Sequence, residues 1–420
     1  GNAGESLYVE DVFSTYLYTG NGTGQTITND IDLSGEGGLV WMKDRTTGNA
    51  SVGWNTLVDT ERGGANQIWS NSTNGQVNLP SRALTFNSNG FSVSADIYHT
   101  NRSGDDFASW SFRKAEKFFD VVTYTGTGVD PMSVPHNLGV TPGCVIIKRT
   151  DTTADWQVMF PGLIADGYGG TGRMRLNTTA AYAATGWTSI ADSTHITIPT
   201  NLAEINASGG TYVAYLFASD AGGFGDDDES IIKCGSYTGN GGSQEINLGF
   251  EPQFLIIKNA SSSSNWMIMD NMRGLGTTFD RGYGTEAVNA QLRANTSGAE
   301  SNSSAAVAIT STGFETFNGN GEVNGNGNTL IYIAIRRPMK APESGTEVFK
   351  GVTRTGNASN FSVDSFGFAG DLMISSIRNT AGYGSYFFQR LLGSQYLRPY
   401  GSNAEASGAT SLSSWDMEGF

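Results

Sequence analysis

The sequence predicts an all-β protein: a tandem array of four antiparallel β-sandwich domains, jelly-roll or lectin-like in type, the last incomplete. Two observations lead there. A short motif recurs, as YTGNG at 18–22, YTGTG at 124–128, YTGNG at 237–241 and RTGNA at 354–358. Between its copies the apolar segments are short, β-branched or aromatic, and set apart by Gly, Asn and Ser clusters. No stretch keeps the three-and-four spacing of an amphipathic helix.

The elements recur in order. The marker residues Tyr18, Tyr124, Tyr237 and Arg354 are 106, 113 and 117 residues apart. Before each marker stands an apolar strand: VFSTYL, FDVVT, IIKCGS and VFKGVT. About twenty residues later comes a second: GLVWMKDR (38–45), CVIIKRT (144–150), FLIIKNA (254–260) and LMISSIRN (372–379). A third strand ends near a glycine in WNTLVDTERGG, WQVMFPG, WMIMDNMRG and YFFQRLLG. Short strands follow in QIWSNS, RMRLNTT, AQLRANTS and QYLRPYGS, and the closing strands are FASWSFRKA, YVAYLFASD and LIYIAIRRP. Six features in one order mark an internal repeat. Gly and Asn tolerate positive φ, so the marker reads as the first hairpin turn of each copy. Strands apolar on both faces, such as CVIIK and FLIIK, are expected between layers; alternating ones such as SWSFRKA are expected half-solvated.

The domains are placed at 1–116, 117–224, 225–340 and 341–420. The link ASDAGGFGDDDES is the candidate hinge, because the other links are short. The last copy ends at MEGF without a counterpart of the closing strand, so its sandwich is expected to be completed by further chain or by strand addition from another subunit.

Composition bounds the function. The net charge of −15 gives no electrostatic drive toward nucleic acid or an anionic membrane. No segment approaches 18 apolar residues, and the N-terminal GNAGESLYVED does not read as a signal peptide. Cys144 and Cys234 read as two buried free thiols in separate copies. His99, His136 and His195 occupy different places in their copies and form no metal-ligand spacing. His136 reads as a turn histidine capping backbone groups. Asp226, Asp227, Asp228 and Glu229 read as a solvated linker, with calcium the alternative. Asp59 and Glu61 could share one strand face as a glycanase pair, but the other copies do not keep both. No catalytic residue, metal site or cofactor is assigned. Trp41, Trp54, Trp110, Trp156 and Trp266 are placed in the core. Trp69 and Trp187 lie nearer loops and are the candidates for stacking on a sugar.

The segment FDVVTYTGTG…VPHNLGVTPGCVIIKRTD in residues 118–160 resembles repeated β-domains in structural proteins of marine tailed bacteriophages. YTGNGTGQTITNDIDLSGEGGLVWMKDR in the first copy is similar. The fourth copy, with Arg354 for the marker Tyr, matches more loosely. The resemblance implies a place in a virion and carries no catalytic residues. The expected function is therefore a non-enzymatic virion protein, a tail fibre or surface appendage. Its expected partners are other virion proteins and copies of itself. The alternative is an array of carbohydrate-binding modules that recognise a host surface glycan.

Overall fold

The computed structural model describes residues 6–407 apart from 48–51, 97, 162, 164–171, 185–190, 199–201, 227, 276–287, 305–306, 318, 356–367, 369, 378, 380–383, 391–394, 400 and 403–405. The protein is all-β. Each of the first three repeats builds a six-stranded antiparallel sheet in which the closing strand lies between the first and second. In the first repeat the order is Phe13–Thr19, Asp106–Arg113, Gly38–Asp44, Thr56–Asp59, Asn66–Trp69 and Val77–Asn78. The second repeat runs Phe119–Thr125, Thr211–Phe217, Cys144–Arg149, Gln157–Met159, Gly172–Arg175 and Ala183–Ala184. The third runs Ile232–Thr238, Thr329–Arg336, Pro252–Asn259, Trp266–Asp270, Val288–Arg293 and Ser301–Ser304. A small sheet of two or three strands accompanies each.

Burial on both faces of the second strands has two separate causes. In Gly38–Asp44, Val40 and Met42 join Ile27 and Phe91 of the small sheet in a core private to the first repeat. Leu39 and Trp41, which alternate with them, point the other way into a core that also holds Val158 and Tyr215 of the second repeat and Phe254, Ile256 and Ile268 of the third. The three large sheets thus share one interior. The closing strand is likewise buried on both faces, which corrects the half-solvated reading of SWSFRKA. Ser109 donates to the Tyr16 carbonyl (3.1 Å), and Ser111 accepts from Asn29 Nδ2 (2.9 Å). Its polar residues face an inner layer that satisfies them, not water.

The sheets close into a ring, and strand register shows that equivalent positions make equivalent contacts. Asn55, Trp156 and Trp266 hold one position at the head of the third strand. Trp156 Nε1 donates to the Trp69 carbonyl (2.9 Å) and Trp266 Nε1 to the Arg175 carbonyl (3.0 Å). Asn55 Nδ2 donates to the Arg293 carbonyl (3.0 Å). So the second repeat reaches the first, the third reaches the second, and the first reaches the third. Backbone bonds repeat the cycle: Gln76 N to Thr150 O, Tyr182 N to Ala260 O and Glu300 N to Arg45 O, at 2.7, 2.8 and 2.8 Å.

Lys43, Lys148 and Lys258 are equivalent again, and all are fully buried. Each ammonium crosses a seam to a carbonyl four residues past the equivalent of Trp69: Ser297 (3.3 Å), Thr73 (3.1 Å) and Thr179 (3.3 Å) respectively. Burial pulls each down to about 8; Asp44 and Glu300 near Lys43, Asp155 and Asp151 near Lys148, and Glu322 near Lys258 oppose the shift, while Arg273 and Arg149 reinforce it. Unfolding returns these lysines to a higher pKa, so from about pH 8 upward they make the unfolded chain bind more protons than the folded one, a contribution that raises stability with pH. Against this, Cys144 and Cys234, and at higher pH Tyr18, Tyr124 and Tyr215, are held protonated by burial and lose their protons on unfolding, which lowers stability as pH rises and reverses the sign. Denaturant midpoints measured from pH 7 to 11 should therefore pass through a maximum at about pH 9. A monotonic fall from pH 7 would contradict this.

The marker is not a hairpin turn. The strands on either side of it lie in different sheets, since the first pairs with the closing strand. It carries the chain between layers and is latched there. Tyr18, Tyr124 and Tyr237 donate their hydroxyls to the carbonyls of Thr100, Ile205 and Val323. The next residue in each case is a buried asparagine, Asn101, Asn206 or Asn324, whose Oδ1 accepts the backbone N–H of Asn21, Thr127 or Asn240. The first marker glycine allows this contact, because a Cβ on Gly126 would stand 2.3 Å from the Ala207 carbonyl oxygen. The last needs positive φ, 69° at Gly128.

The candidate hinge is tied down. Phe224 and Glu229 exchange backbone bonds, Gly225 N donates to Leu7 O (2.8 Å), and Glu229 pairs with Arg336 (2.7 Å).

The fourth repeat differs. Its sheet comprises Leu372–Ser375, Tyr386–Gln389, Gln395–Leu397 and Ala406–Ser407. LMISS was expected in the same buried position as GLVWM, CVIIK and FLIIK. Instead Leu372 and Ile374 are 60% exposed, and among the described residues no strand pairs with the outer edge of Leu372–Ser375. VFKGVT, the counterpart of the first strands, is exposed and forms no strand. Residues 408–420, on which the expectation of a missing closing strand rests, lie outside the described residues.

Candidate binding groove

The seam between the first and second repeats opens into a groove of about 470 Å³, lined by Arg62, Gln76, Thr123, Tyr124, Thr125, Thr150, Thr211 and Tyr212. Its volume lies within the range of small-ligand sites. The other two seams carry different residues at the corresponding positions. At the seam between the first and third repeats, the positions of Thr150 and Gln76 carry Arg45 and Glu300, joined by a salt bridge of 2.8 Å. At the remaining seam they are Ala260 and Tyr182.

The groove is neutral and rich in hydroxyls. Tyr124 and Tyr212 stack with centroids 4.9 Å apart. Tyr212 Oη donates to Ala203 O (2.8 Å) and accepts from Ala207 N (2.7 Å), which fixes its ring. Thr150 and Thr211 join through their hydroxyls at 2.6 Å. The one cation is already engaged: Arg62 binds Asp59 (2.6 Å), Gln76 Oε1 and Tyr215 Oη, each of the last two at 3.2–3.3 Å. Such a surface offers hydrogen bonds and a ring edge to an uncharged polyhydroxyl ligand and lacks a free charge for an anion.

The structure disperses most residues singled out from sequence. Trp69 is 5% exposed, packed edge-on to Trp54 (5.1 Å) and against His99 (5.6 Å), so it presents no face for a sugar. Trp54, expected in the core, is the half-exposed member of that cluster and stacks on His99 at 5.2 Å. Trp187 lies outside the described residues. Asp59 is fully buried under Arg62 and Tyr215, while Glu61 pairs outside with Lys114 (2.7 Å), so the two do not form a catalytic pair. Asp226 accepts from the Tyr8 hydroxyl (2.7 Å). Among the described residues no group of three His, Cys, Asp or Glu is placed to hold a metal ion. His136 caps backbone, with Nδ1 accepting from Leu138 N and Nε2 on Asp192 O, both at 3.2 Å. Both cysteines are free thiols, Cys144 buried and Cys234 half-buried.

The groove residues, the lysines and the latching asparagines were not singled out from sequence. The signal for the latter two was present: Lys stands at one place in WMKDR, IIKRT and IIKNA, and an asparagine follows the marker tyrosine by 83, 82 and 87 residues.

No curated protein matches the chain. The model of one family, described as a domain of unknown function, DUF7483, matches residues 9–338, which span the three repeats of the ring and stop short of the fourth. The chain therefore belongs to the DUF7483 family, and the family's unit coincides with the closed ring of three sheets, not with a single sandwich.

Proposed function

We propose that the protein is a non-enzymatic structural component of a virion, a tail fibre or surface appendage that holds rigid β-domains for assembly or attachment. The observation that carries this reading is the ring. Three repeats share one core, and each seam carries the same cross-repeat bonds. A block of this kind keeps its outer surfaces at fixed spacing under load. The likeness of residues 118–160 to virion proteins of tailed phages supports the setting. The test is to locate the protein by labelled antibody on gradient-purified particles. Signal on the particle is the expected result, and a protein present only in the unassembled fraction overturns the reading.

The groove favours a second reading, recognition of a host surface glycan. Here Thr211→Trp, which fills the groove from an exposed strand end, should abolish binding of the purified chain to a glycan array while leaving its melting temperature within a few degrees. Binding that survives Thr211→Trp rules the groove out.

A further inference from the structure

The bare face of the fourth sheet is not a random surface. Register places Leu372, Ile374, Phe387 and Leu397 where the third repeat has Phe254, Ile256, Ile268 and Leu292. All four of those third-repeat residues are buried in the core shared by the ring. In the fourth repeat Leu372 and Ile374 are 60% exposed and Leu397 48%. The opposite face, with Met373, Tyr386, Phe388 and Tyr396, packs in a cluster of its own. The fourth repeat thus packs one face in a small cluster of its own, while on the other Leu372, Ile374 and Leu397 are exposed and Phe387 is half-buried.

What covers such a surface is visible three times in this chain: two more sheets of the same kind. The ring uses the sheets of repeats one to three, and among the described residues the fourth sheet is left outside it. Salt bridges fix that sheet beside the ring, since Arg390 and Arg337 both bind Glu251 and Asp371 at the start of the second strands of repeats three and four. The bare surface therefore continues from an interface already formed.

We propose that the fourth repeat is one third of a second ring, completed by the fourth repeats of two further copies of this chain. The association should be weaker than the ring within the chain, because the polar hooks are gone. Ser376 stands at the position of Lys43, Lys148 and Lys258, and Ser385 at that of Asn55, Trp156 and Trp266. Only the hydrophobic part remains, so trimers should form reversibly with concentration.

Sedimentation velocity of the full chain tests this across concentrations from about 1 to 100 µM. The expected result is a monomer–trimer equilibrium that Leu372→Asp with Ile374→Asp abolishes, the main melting transition being unchanged. Should that pair unfold the fourth sheet, Ile374→Ser removes less apolar surface and should still shift the midpoint at least tenfold. A monomer at every concentration, a closed dimer, or a trimer indifferent to Ile374→Ser overturns the proposal.

Discussion

Asp59→Ala is expected to lower the free energy of unfolding by about 3–5 kcal/mol, the cost of leaving a buried charge without its partner. Asp59 accepts from the backbone N and Nε of Arg62 (2.9 and 2.7 Å) and from Tyr215 Oη across the seam (2.8 Å). Removing it strands a guanidinium whose side chain is 4% exposed. The chain also displays the repair. Asp270 and Arg273 repeat the arrangement in the third repeat, where Trp110 Nε1 of the first is the donor (3.0 Å). At the remaining seam the same places are taken by Phe160, Leu163 and Ile333, all in the shared core. Asp59→Phe with Arg62→Leu and Tyr215→Ile should therefore recover most of the loss, because a matched apolar set replaces a buried ion pair at little or no cost. Chemical denaturation of the wild type, Asp59→Ala and the triple variant checks both halves. A loss under about 1 kcal/mol for Asp59→Ala would show the pair to be dispensable.

Trp266→Ala should destabilise the first repeat as much as the third. The indole is 2% exposed and its removal should cost about 3–5 kcal/mol through lost burial and the cavity left behind. Its Nε1 bond to Arg175 O ties the third repeat to the second. Were the repeats independent beads, only the third would melt earlier. With one interior serving all three sheets, none keeps a complete core alone, so the ring should unfold in a single transition. Hydrogen exchange on Leu39–Met42 and on Leu255–Ile257 should report the same opening free energy in the wild type and the same loss in the variant. Protection retained in the first repeat alone would refute the shared core as the unit of cooperativity.

Much of the architecture was legible because strand chemistry repeats visibly. GLVWM, CVIIK and FLIIK announced buried central strands, and apolar character on both faces announced two neighbouring layers. What the second layer is was not legible. A sequence repeat states that units are alike and is silent on whether they stand in a row or around an axis; contacts such as Trp156 to Trp69 O involve backbone acceptors that carry no sequence signature. The marker was misread for a related reason. Its glycines signal a tight backbone, and a hairpin is the commonest cause, but here the tightness comes from an asparagine about eighty residues away. Of the stacking candidates, Trp69 is closed to a sugar because its ring packs on Trp54 and His99 of its own repeat, a cover that local sequence does not announce. The groove was invisible because its lining meets only across a seam, Arg62 and Gln76 from the first repeat and Tyr124, Thr150 and Tyr212 from the second.

The carboxylate of Glu10 accepts the backbone N–H groups of Met339 and Lys340 at 2.6 and 2.8 Å. The polypeptide therefore enters and leaves the ring at one point, and the seam between first and third repeats needs no covalent connection that the others have. Chain order among the three sheets is interchangeable in principle: a circular permutant that opens the 116–117 link and joins the regions of Glu10 and Met339 with a short linker retains every seam. For the same reason the whole ring behaves as a cassette. Its two ends span almost no distance, so it can be spliced into a surface loop of another protein without prying that host apart.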